Sequence, residues 1–145
     1  MIITRSLIVA ETRGWIGTPY RHQASLKGVG CDCLGLVRGV WRSVIGEEPE
    51  RAPAYAPDWA EAGGIEALAE AAARHLIEID RNAFAEGDVL LFRWRNNLPA
   101  KHAAIVTPAD KIVHAHDGAA VAEVALAPWW RRRIAYAFRF PGVDV

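Results

Sequence analysis

The sequence predicts an α+β fold, in which helices come first along the chain and an antiparallel sheet follows. Up to about residue 79, apolar residues recur three and four positions apart, which is the spacing of one helix face. From Asp88 onward they form short runs and an alternating pattern, which are typical of strands. Because helices and strands occupy different halves of the chain, the pattern favours an α+β fold over one in which they alternate.

The composition indicates an ordinary globular protein with a single domain over residues 1–145. A chain of 145 residues can bury a substantial core, and its 52% hydrophobic and 23% charged residues exclude a disordered chain. The 17 basic residues balance the 17 acidic residues, so the chain lacks the charge of a dedicated nucleic-acid binder. We therefore expect no nucleic-acid partner.

The N-terminal apolar stretch and the two cysteines bear on membrane insertion, secretion and disulfide formation. Residues 1–11 are too short and too interrupted by charge to span a bilayer or to form a convincing signal peptide. We expect no membrane span, and if the protein works outside the cytoplasm, something other than a cleaved signal must carry it there. One residue separates Cys31 from Cys33, which argues against a fold-stabilising disulfide because such a bond would close almost no loop.

The first predicted elements are a short helix and a turn. Residues 2–13 carry apolar side chains at helical spacing, and Gly14 would end that helix, with Trp15 following as a packing anchor. Residues 17–20 have turn chemistry and bring the Tyr20 hydroxyl into a loop shortly before Cys33. Tyr20 is either a core ring or a hydroxyl of a substrate site, and the spacing favours neither.

A glycine-rich turn over residues 28–35 leads into the helix around which the chain is organised. From Cys33 onward, the apolar positions at helical spacing are Leu36, Val37, Val40, Trp41, Val44 and Ile45. Cys33 lies in the first turn, where unpaired backbone N–H groups and the helix dipole stabilise a thiolate, so we expect a lowered thiol pKa. The alternative is that Cys31 and Cys33 pack as small apolar residues.

A surface loop and a second amphipathic helix are predicted next. Residues 46–59 contain three prolines and four acidic residues, which exclude regular structure. From residue 61 to about residue 79, one helix face carries Ile65, Leu68, Ala69, Ala72, Leu76 and Ile79. His75 belongs to this helix and is predicted to be structural.

The second half of the chain predicts strands joined by turns and loops. The predicted strands are residues 88–93, 103–106, 112–116, 120–124 and 134–140. Residues 94–101 are a predicted loop, and the Trp-Trp-Arg-Arg-Arg run at 129–133 is predicted to be a basic loop beside an aromatic anchor.

Three histidines fall on the predicted strands in a pattern that suits thiol catalysis. His102 opens one strand and His114 lies on the next, so in a hairpin the two would lie at comparable heights. His116 points to the same face as His114, one pleat further along. A cysteine on a helix and histidines on a sheet supply a nucleophile, a base and a group that orients the base.

Five separated motifs resemble those of the NlpC-type, papain-like cell-wall peptidases. They are Gly-Thr-Pro-Tyr at 17–20, Asp-Cys-Leu-Gly-Leu-Val at 32–37, Glu-Gly-Asp-Val-Leu-Leu-Phe at 86–92, His-Ala-Ala-Ile-Val at 102–106 and Ile-Val-His-Ala at 112–115. The resemblance implies a papain-like fold with Cys33 as nucleophile, His102 as general base and His114 as the residue that orients it. It also places Tyr20 and Asp32 among the oxyanion or substrate-binding residues.

The resemblance implies a cysteine endopeptidase that hydrolyses peptidoglycan stem peptides at the D-glutamyl–diamino acid bond, with no metal or cofactor. Residues 28–39 resemble the branch found in tailed phages and phage-like gene-transfer particles, so tail or tail-like particle proteins are expected partners. The protein would then be made in the cytoplasm, assembled into a particle, and act at the periplasmic cell wall. Leu34, where the family usually has serine, and the replacement of the usual glycines at 21–24 bear on substrate preference.

Other readings of the same residues stay open. An amidase that cleaves the lactyl–alanine bond, or an acyltransferase, would use the same thiol fold. A structural tail component that has lost activity would keep the fold, although Cys33, His102 and His114 are intact. A non-enzymatic metal-binding module would use Cys31, Cys33, His114 and His116, although Cys-x-Cys and His-x-His are tighter than the usual zinc spacings.

Overall fold

A six-stranded antiparallel sheet is the frame of the protein, and helices cover both of its faces. The structure, a computed structural model, describes residues 2–49 and 66–145. Its helices are α1 Arg5–Arg13, α2 Cys33–Val44, α3 Ala67–His75 and α4 Pro128–Arg131. Its strands are β1 Ile3–Thr4, β2 Ser25–Leu26, β3 Gly30–Cys31, β4 Ile77–Ile79, β5 Val89–Phe92, β6 His102–Thr107, β7 Lys111–His114, β8 Ala122–Ala125, β9 Ile134–Arg139 and β10 Val143–Asp144.

The strand order of the large sheet is β4-β9-β5-β6-β7-β8, with every neighbouring pair antiparallel. β6 lies inside this sheet, and its six residues are all buried. Ala103 and Ile105 pack in the cluster that contains α2, whereas Ala104 and Val106 pack in a second cluster with Leu126. The α+β prediction is confirmed, and β6 begins at His102, one of the candidate site residues.

Helix α2 forms as the sequence predicts, beginning at Cys33. The Asp32 carboxylate caps it, because Oδ1 accepts a hydrogen bond from the Gly35 N–H at 2.7 Å. Its buried side chains include Leu36, Val40 and Val44, which form the stripe that packs on the sheet. The first turn of this helix is thereby held against the start of β6.

Gly39 lets α2 approach the side chain of Trp15. A methyl group at this position would overlap the six-membered ring of Trp15, which is itself fully buried. Trp15 is therefore the packing anchor that the sequence predicts.

We expect Gly39→Ala to lower the free energy of unfolding by at least about 2 kcal/mol, since a forced overlap in a packed core outweighs the gain in helix propensity. Urea unfolding measures the effect. Ser43→Ala, an exposed change on the same helix, is the control and should stay within about 0.5 kcal/mol. Equal or higher stability of Gly39→Ala would contradict the packing of Trp15 on α2.

The N-terminal helix begins later than predicted. Ile3 and Thr4 form a strand that pairs in parallel with Val143 and Asp144 of β10. The Thr4 hydroxyl then caps α1, because Oγ1 accepts a hydrogen bond from the Leu7 N–H at 3.0 Å. Residues 2–4 are therefore not part of the helix. Ile3 and Thr4 pair instead with residues distant in sequence, and the spacing of apolar residues does not reveal such a pairing.

The helix predicted over residues 61–79 ends at His75, and its last part is a strand. Leu76 is extended, and Ile77–Ile79 pairs with β9, with Ile79 opposite Ala137. This pairing satisfies backbone groups of β9 that helix formation would leave open at the sheet edge. Residues 61–65 of that helix, and residues 50–59 of the predicted loop before it, lie outside the described residues.

Smaller differences concern the turns around the sheet. The predicted basic loop at 129–133 contains α4, whose first residue is Pro128, a residue favoured at that position. β7 ends at His114 rather than at residue 116, and β8 covers 122–125 rather than 120–124. The β2–β3 hairpin was not predicted. Within the described parts of the chain, no helix has the length and apolar character needed to cross a bilayer.

Candidate active site

Two buried imidazoles form the centre of the candidate site. His102 at the start of β6 and His114 at the end of β7 lie with His102 Nε2 and His114 Nδ1 2.8 Å apart. The β6–β7 register pairs Ile105 with Val113, so His114 falls opposite Ala104, one pleat from His102. The contact between these two side chains that the sequence predicts is present.

An aromatic cluster surrounds these imidazoles and was missed at the level of sequence. The His102 ring stacks on Trp94 with centroids 5.4 Å apart and on Trp130 with centroids 5.6 Å apart. The His114 ring meets Trp130 edge to face at 5.1 Å. The Trp129-Trp130 pair was the sequence feature that could have indicated this cluster. Only the fold shows that α4 brings Trp130 onto the sheet face that carries the histidines.

This environment keeps both imidazoles neutral near pH 7. Burial, followed by electrostatic repulsion with His114, His116 and Lys101, lowers the pKa of His102 well below its ordinary value. Burial and His116 lower the pKa of His114 to about 4. A neutral imidazole at position 102 can accept a proton, as a general base must.

The Cys33 thiol lies beside the main chain on both sides of His102. Sγ is 3.9 Å from the Lys101 carbonyl oxygen, to which it donates, and the backbone N–H of Ala103 interacts with the sulfur. In the described residues the thiol makes this contact rather than a hydrogen bond to the His102 ring. The structure thus places the Cys33 sulfur beside the main chain that flanks His102.

The pKa expected for Cys33 from its helix position is wrong in direction. Burial, followed by the Asp32 carboxylate, raises the pKa of the Cys33 thiol to about 11, although the N–H groups of Ala103, Leu34 and Cys33 lower it. Removal of the sulfur from water and an adjacent negative charge outweigh the helix start. The resting site therefore holds a thiol and a neutral imidazole rather than an ion pair.

We expect alkylation of Cys33 by iodoacetamide to speed up about tenfold per pH unit from pH 7 to pH 10, since only the thiolate reacts. Mass spectrometry of the labelled peptide measures the rate, with Cys33→Ala as the unlabelled control. Cys31 is fully buried and should stay unlabelled in the folded protein. A rate already constant below pH 7 would show that a thiolate–imidazolium pair exists at rest.

Asp32 connects helix α2 to the loop before it. Besides capping α2 through Oδ1, its Oδ2 accepts a hydrogen bond from the Gln23 N–H at 2.7 Å, and His22 Nδ1 lies 3.9 Å away. These contacts position Cys33, which is the next residue. Sequence reasoning missed this cap, although aspartate directly before a helix is a recognised capping signal; a substrate-binding role for Asp32 stays a prediction.

Tyr20 lies half-buried against the core and close to the charged groups of the site. It forms an isolated bridge with Cys31. Burial, followed by Asp32 and Cys33, raises the pKa of the Tyr20 hydroxyl to about 12, so the hydroxyl keeps its proton and can donate a hydrogen bond. Both readings of Tyr20 left open by the sequence are therefore compatible with its position.

The alternative metal site predicted from the sequence used Cys31, Cys33, His114 and His116, and the fold does not bring these four residues together as one group of ligands. Cys31 is fully buried, and burial raises the pKa of its thiol to about 12, which opposes the thiolate form that metals bind. Among residues 2–49 and 66–145, the group of donors that lies close together is His102, His114 and His116. Both cysteines are free thiols.

Comparison with known proteins matches this architecture to one family. A model of the NlpC/P60 family matches residues 17–139. The NlpC/p60 domain of the peptidoglycan hydrolase SagA is 22% identical with a TM-score of 0.65, over 95% of this chain and 100% of that one. An NlpC/P60 family protein from Bacillus cereus ATCC 10987 is 17% identical with a TM-score of 0.70, over 97% of this chain and 41% of that one.

A third solved structure, NlpC2 from Trichomonas vaginalis, is 16% identical with a TM-score of 0.64, over 94% of this chain and 46% of that one. This chain thus spans less than half the length of the Bacillus and Trichomonas proteins. At these identities the likeness shows a shared fold. A search of curated proteins gave no match.

Proposed function

Because the chain belongs to the NlpC/P60 family, we propose that it is a cysteine endopeptidase that hydrolyses the stem peptides of peptidoglycan, with Cys33 as nucleophile and His102 as general base. The observation that carries the proposal is the juxtaposition at the start of β6. There, the thiol of the helix-borne Cys33 contacts Lys101, while the next residue, His102, is paired with His114 at 2.8 Å. These are the three groups that thiol catalysis requires.

The His102–His114 contact determines which ring nitrogen acts as the base. Since Nε2 of His102 faces His114 Nδ1, the Nδ1 atom of His102 is the nitrogen left to accept the thiol proton. Nε2 then carries the hydrogen and donates it to His114. When His102 becomes an imidazolium, this hydrogen bond persists and keeps the ring in one orientation. That is the orienting role proposed for His114.

The reaction begins when the thiol leaves the Lys101 carbonyl and transfers its proton to His102. Such contacts are often long or misaligned without substrate and tighten in the complex. The sulfur attacks the peptide carbonyl, and a carbon–sulfur bond forms as the negative charge moves to oxygen. The Cys33 N–H at the start of α2 and the protonated Tyr20 hydroxyl are the proposed donors to that oxygen.

Breakdown of this intermediate completes the cycle. The imidazolium of His102 donates its proton to the leaving amine as the carbon–nitrogen bond breaks, which leaves an acyl group on Cys33. Water then gives a proton to His102 as its oxygen attacks the acyl carbon, the carbon–sulfur bond breaks to release the acid product, and His102 returns the proton to the Cys33 sulfur. Because burial lowers the pKa of His102, this residue is neutral at the start of the cycle and can take up the thiol proton.

The proposed scissile bond joins D-glutamate to the diamino acid, and the resemblance of the motifs supports it. Intact peptidoglycan and disaccharide-free stem peptides are incubated separately with the protein, and new termini are identified by mass spectrometry. A new amino terminus on the diamino acid is the expected result, with Cys33→Ala as the inactive control. Cleavage only at the lactyl–alanine bond would make the protein an amidase, and transfer to an added amine would make it an acyltransferase.

We further propose that the protein acts as a component of a phage tail or phage-like gene-transfer particle, at the periplasmic cell wall. The sequence of residues 28–39, which resembles that branch, supports this proposal. Particles purified from producing cells are separated into heads and tails, and peptides of this chain are quantified in each fraction. Enrichment with tails is expected, whereas recovery only outside particles would contradict the proposal.

A further inference from the structure

A third histidine adjoins the catalytic pair and has no role in the proposed reaction. The His116 ring lies 5.4 Å from the His102 ring and 5.8 Å from the His114 ring, measured between centroids. Each of the three side chains offers one ring nitrogen, and these nitrogens all lie within 4.8 Å of one another. His102 and His114 are buried, whereas His116 is exposed.

We propose that His102, His114 and His116 bind a divalent transition-metal ion such as zinc, and that the bound ion reversibly inhibits the enzyme. Binding of the ion follows from the three imidazoles alone. Inhibition rests on the cysteine-peptidase function proposed above. No carboxylate or thiolate is needed, because three imidazoles and a water molecule complete a known type of zinc site.

The observed distances are close to those that a zinc ion requires. Zinc–nitrogen bonds of about 2.0–2.1 Å in a tetrahedral site place neighbouring nitrogens about 3.3 Å apart. His102 Nε2 and His114 Nδ1, at 2.8 Å, need to separate slightly, and all three ligand nitrogens already lie within 4.8 Å of one another. His116 lies two residues beyond the end of β7 and is exposed, so its side chain can adjust to the ion and the ion can enter there.

Zinc at this site would remove the base in two ways. The two nitrogens that hold the His102–His114 contact become metal ligands, so the bond that orients His102 is lost. A cation bound to the ring also makes its second nitrogen a poor proton acceptor. The Cys33 sulfur, which contacts Lys101 on the main chain, takes no part in the site.

Zinc binding to the purified chain is measured by isothermal titration calorimetry, without substrate. We expect one ion per chain in the wild type and in Cys33→Ala, and at least about tenfold weaker binding in His116→Ala. His22→Ala, which removes an exposed histidine outside the cluster, is the matched control and should bind as the wild type does. Equal affinity of His116→Ala, loss of affinity in His22→Ala, or no binding to the wild type would overturn the site.

Cobalt substitution tests the donor set independently of affinity. Co²⁺ held by three imidazoles shows visible d–d bands, whereas a cysteine ligand adds an intense near-ultraviolet sulfur-to-cobalt band. We expect the visible bands without the sulfur band, and the same spectrum in Cys33→Ala. A sulfur band that disappears in Cys33→Ala would place Cys33 among the ligands and overturn the three-histidine assignment.

Inhibition is tested by peptidoglycan hydrolysis with zinc and after addition of a chelator. Zinc should suppress hydrolysis by the wild type, the chelator should restore it, and His116→Ala should stay active at zinc concentrations that stop the wild type. Zinc that binds without lowering hydrolysis would overturn the inhibition while leaving the binding site. Activity lost with the chelator and regained with zinc would instead overturn the cysteine-peptidase function, and absence of hydrolysis in every form would do the same without affecting the calorimetry.

Discussion

Replacement of Cys33 by alanine is expected to lower kcat/KM for stem-peptide hydrolysis by at least about 1,000-fold, because it removes the sulfur that forms the acyl intermediate in the proposed reaction. Cys33 is half-buried at the start of α2. Cys31→Ala is the matched change, since it removes the same thiol two residues away. Cys31 is fully buried, so this variant should retain most of the activity.

Hydrolysis of a defined stem peptide, followed by liquid chromatography, measures both variants. Thermal unfolding accompanies the assay, because Cys31→Ala removes a buried sulfur and costs stability. The assignment is wrong if Cys31→Ala is the inactive variant and Cys33→Ala the active one, provided that both proteins are folded.

His102→Ala is expected to lower kcat by about 10²- to 10⁴-fold, the range that general acid–base catalysis contributes. His114→Ala is expected to cost less, about tenfold to 100-fold, since it removes only the hydrogen bond that orients His102. The imidazole of His102 remains in place in that variant, supported by Trp94 and Trp130.

The pH dependence of kcat/KM separates these roles from a loss of structure. Because burial lowers the pKa of His102, the acid limb of the wild-type profile should lie below pH 6.5, and hydrolysis should fall as pH drops through the lowered value. That limb should disappear in His102→Ala and persist in His114→Ala. A larger loss in His116→Ala than in His114→Ala would mean that His116 is the orienting residue.

The folded state also loses stability as acid protonates these histidines. His114, whose pKa is lowered to about 4, binds its proton less readily when folded than when unfolded. The unfolded chain therefore takes up more protons below about pH 6.5, which shifts the equilibrium toward unfolding as pH falls toward 4. The acid side of the activity profile is accordingly measured only where the protein is folded.

Local sequence was sufficient wherever a pattern and its structural cause lie within a few residues. The stripe of Leu36, Val40 and Val44 predicts α2, and the short apolar runs around residues 102–114 predict the β6–β7 hairpin. The motifs that these elements carry then indicate the family and, with it, the fold. The relation between His102 and His114 follows from the hairpin alone, because neighbouring strands bring such positions together.

Tertiary structure decided what depends on distant partners. Ile77–Ile79 is a strand because β9 offers it an edge, and Ile3 is extended because Val143 pairs with it. Neither partner lies near these residues in sequence, so periodicity could not indicate them. Trp130 likewise reaches His102 only because α4 packs over that face of the sheet.

The pKa values of the site residues were also decided by the tertiary structure. The helix start at Cys33 is visible in the sequence, and by itself it favours a thiolate. The depth of burial of the sulfur and the nearness of the Asp32 carboxylate are products of packing, and together they raise the thiol pKa to about 11. The sequence by itself determined which residues are available for chemistry, and the packed structure decided their protonation, because desolvation depends on every element that surrounds them.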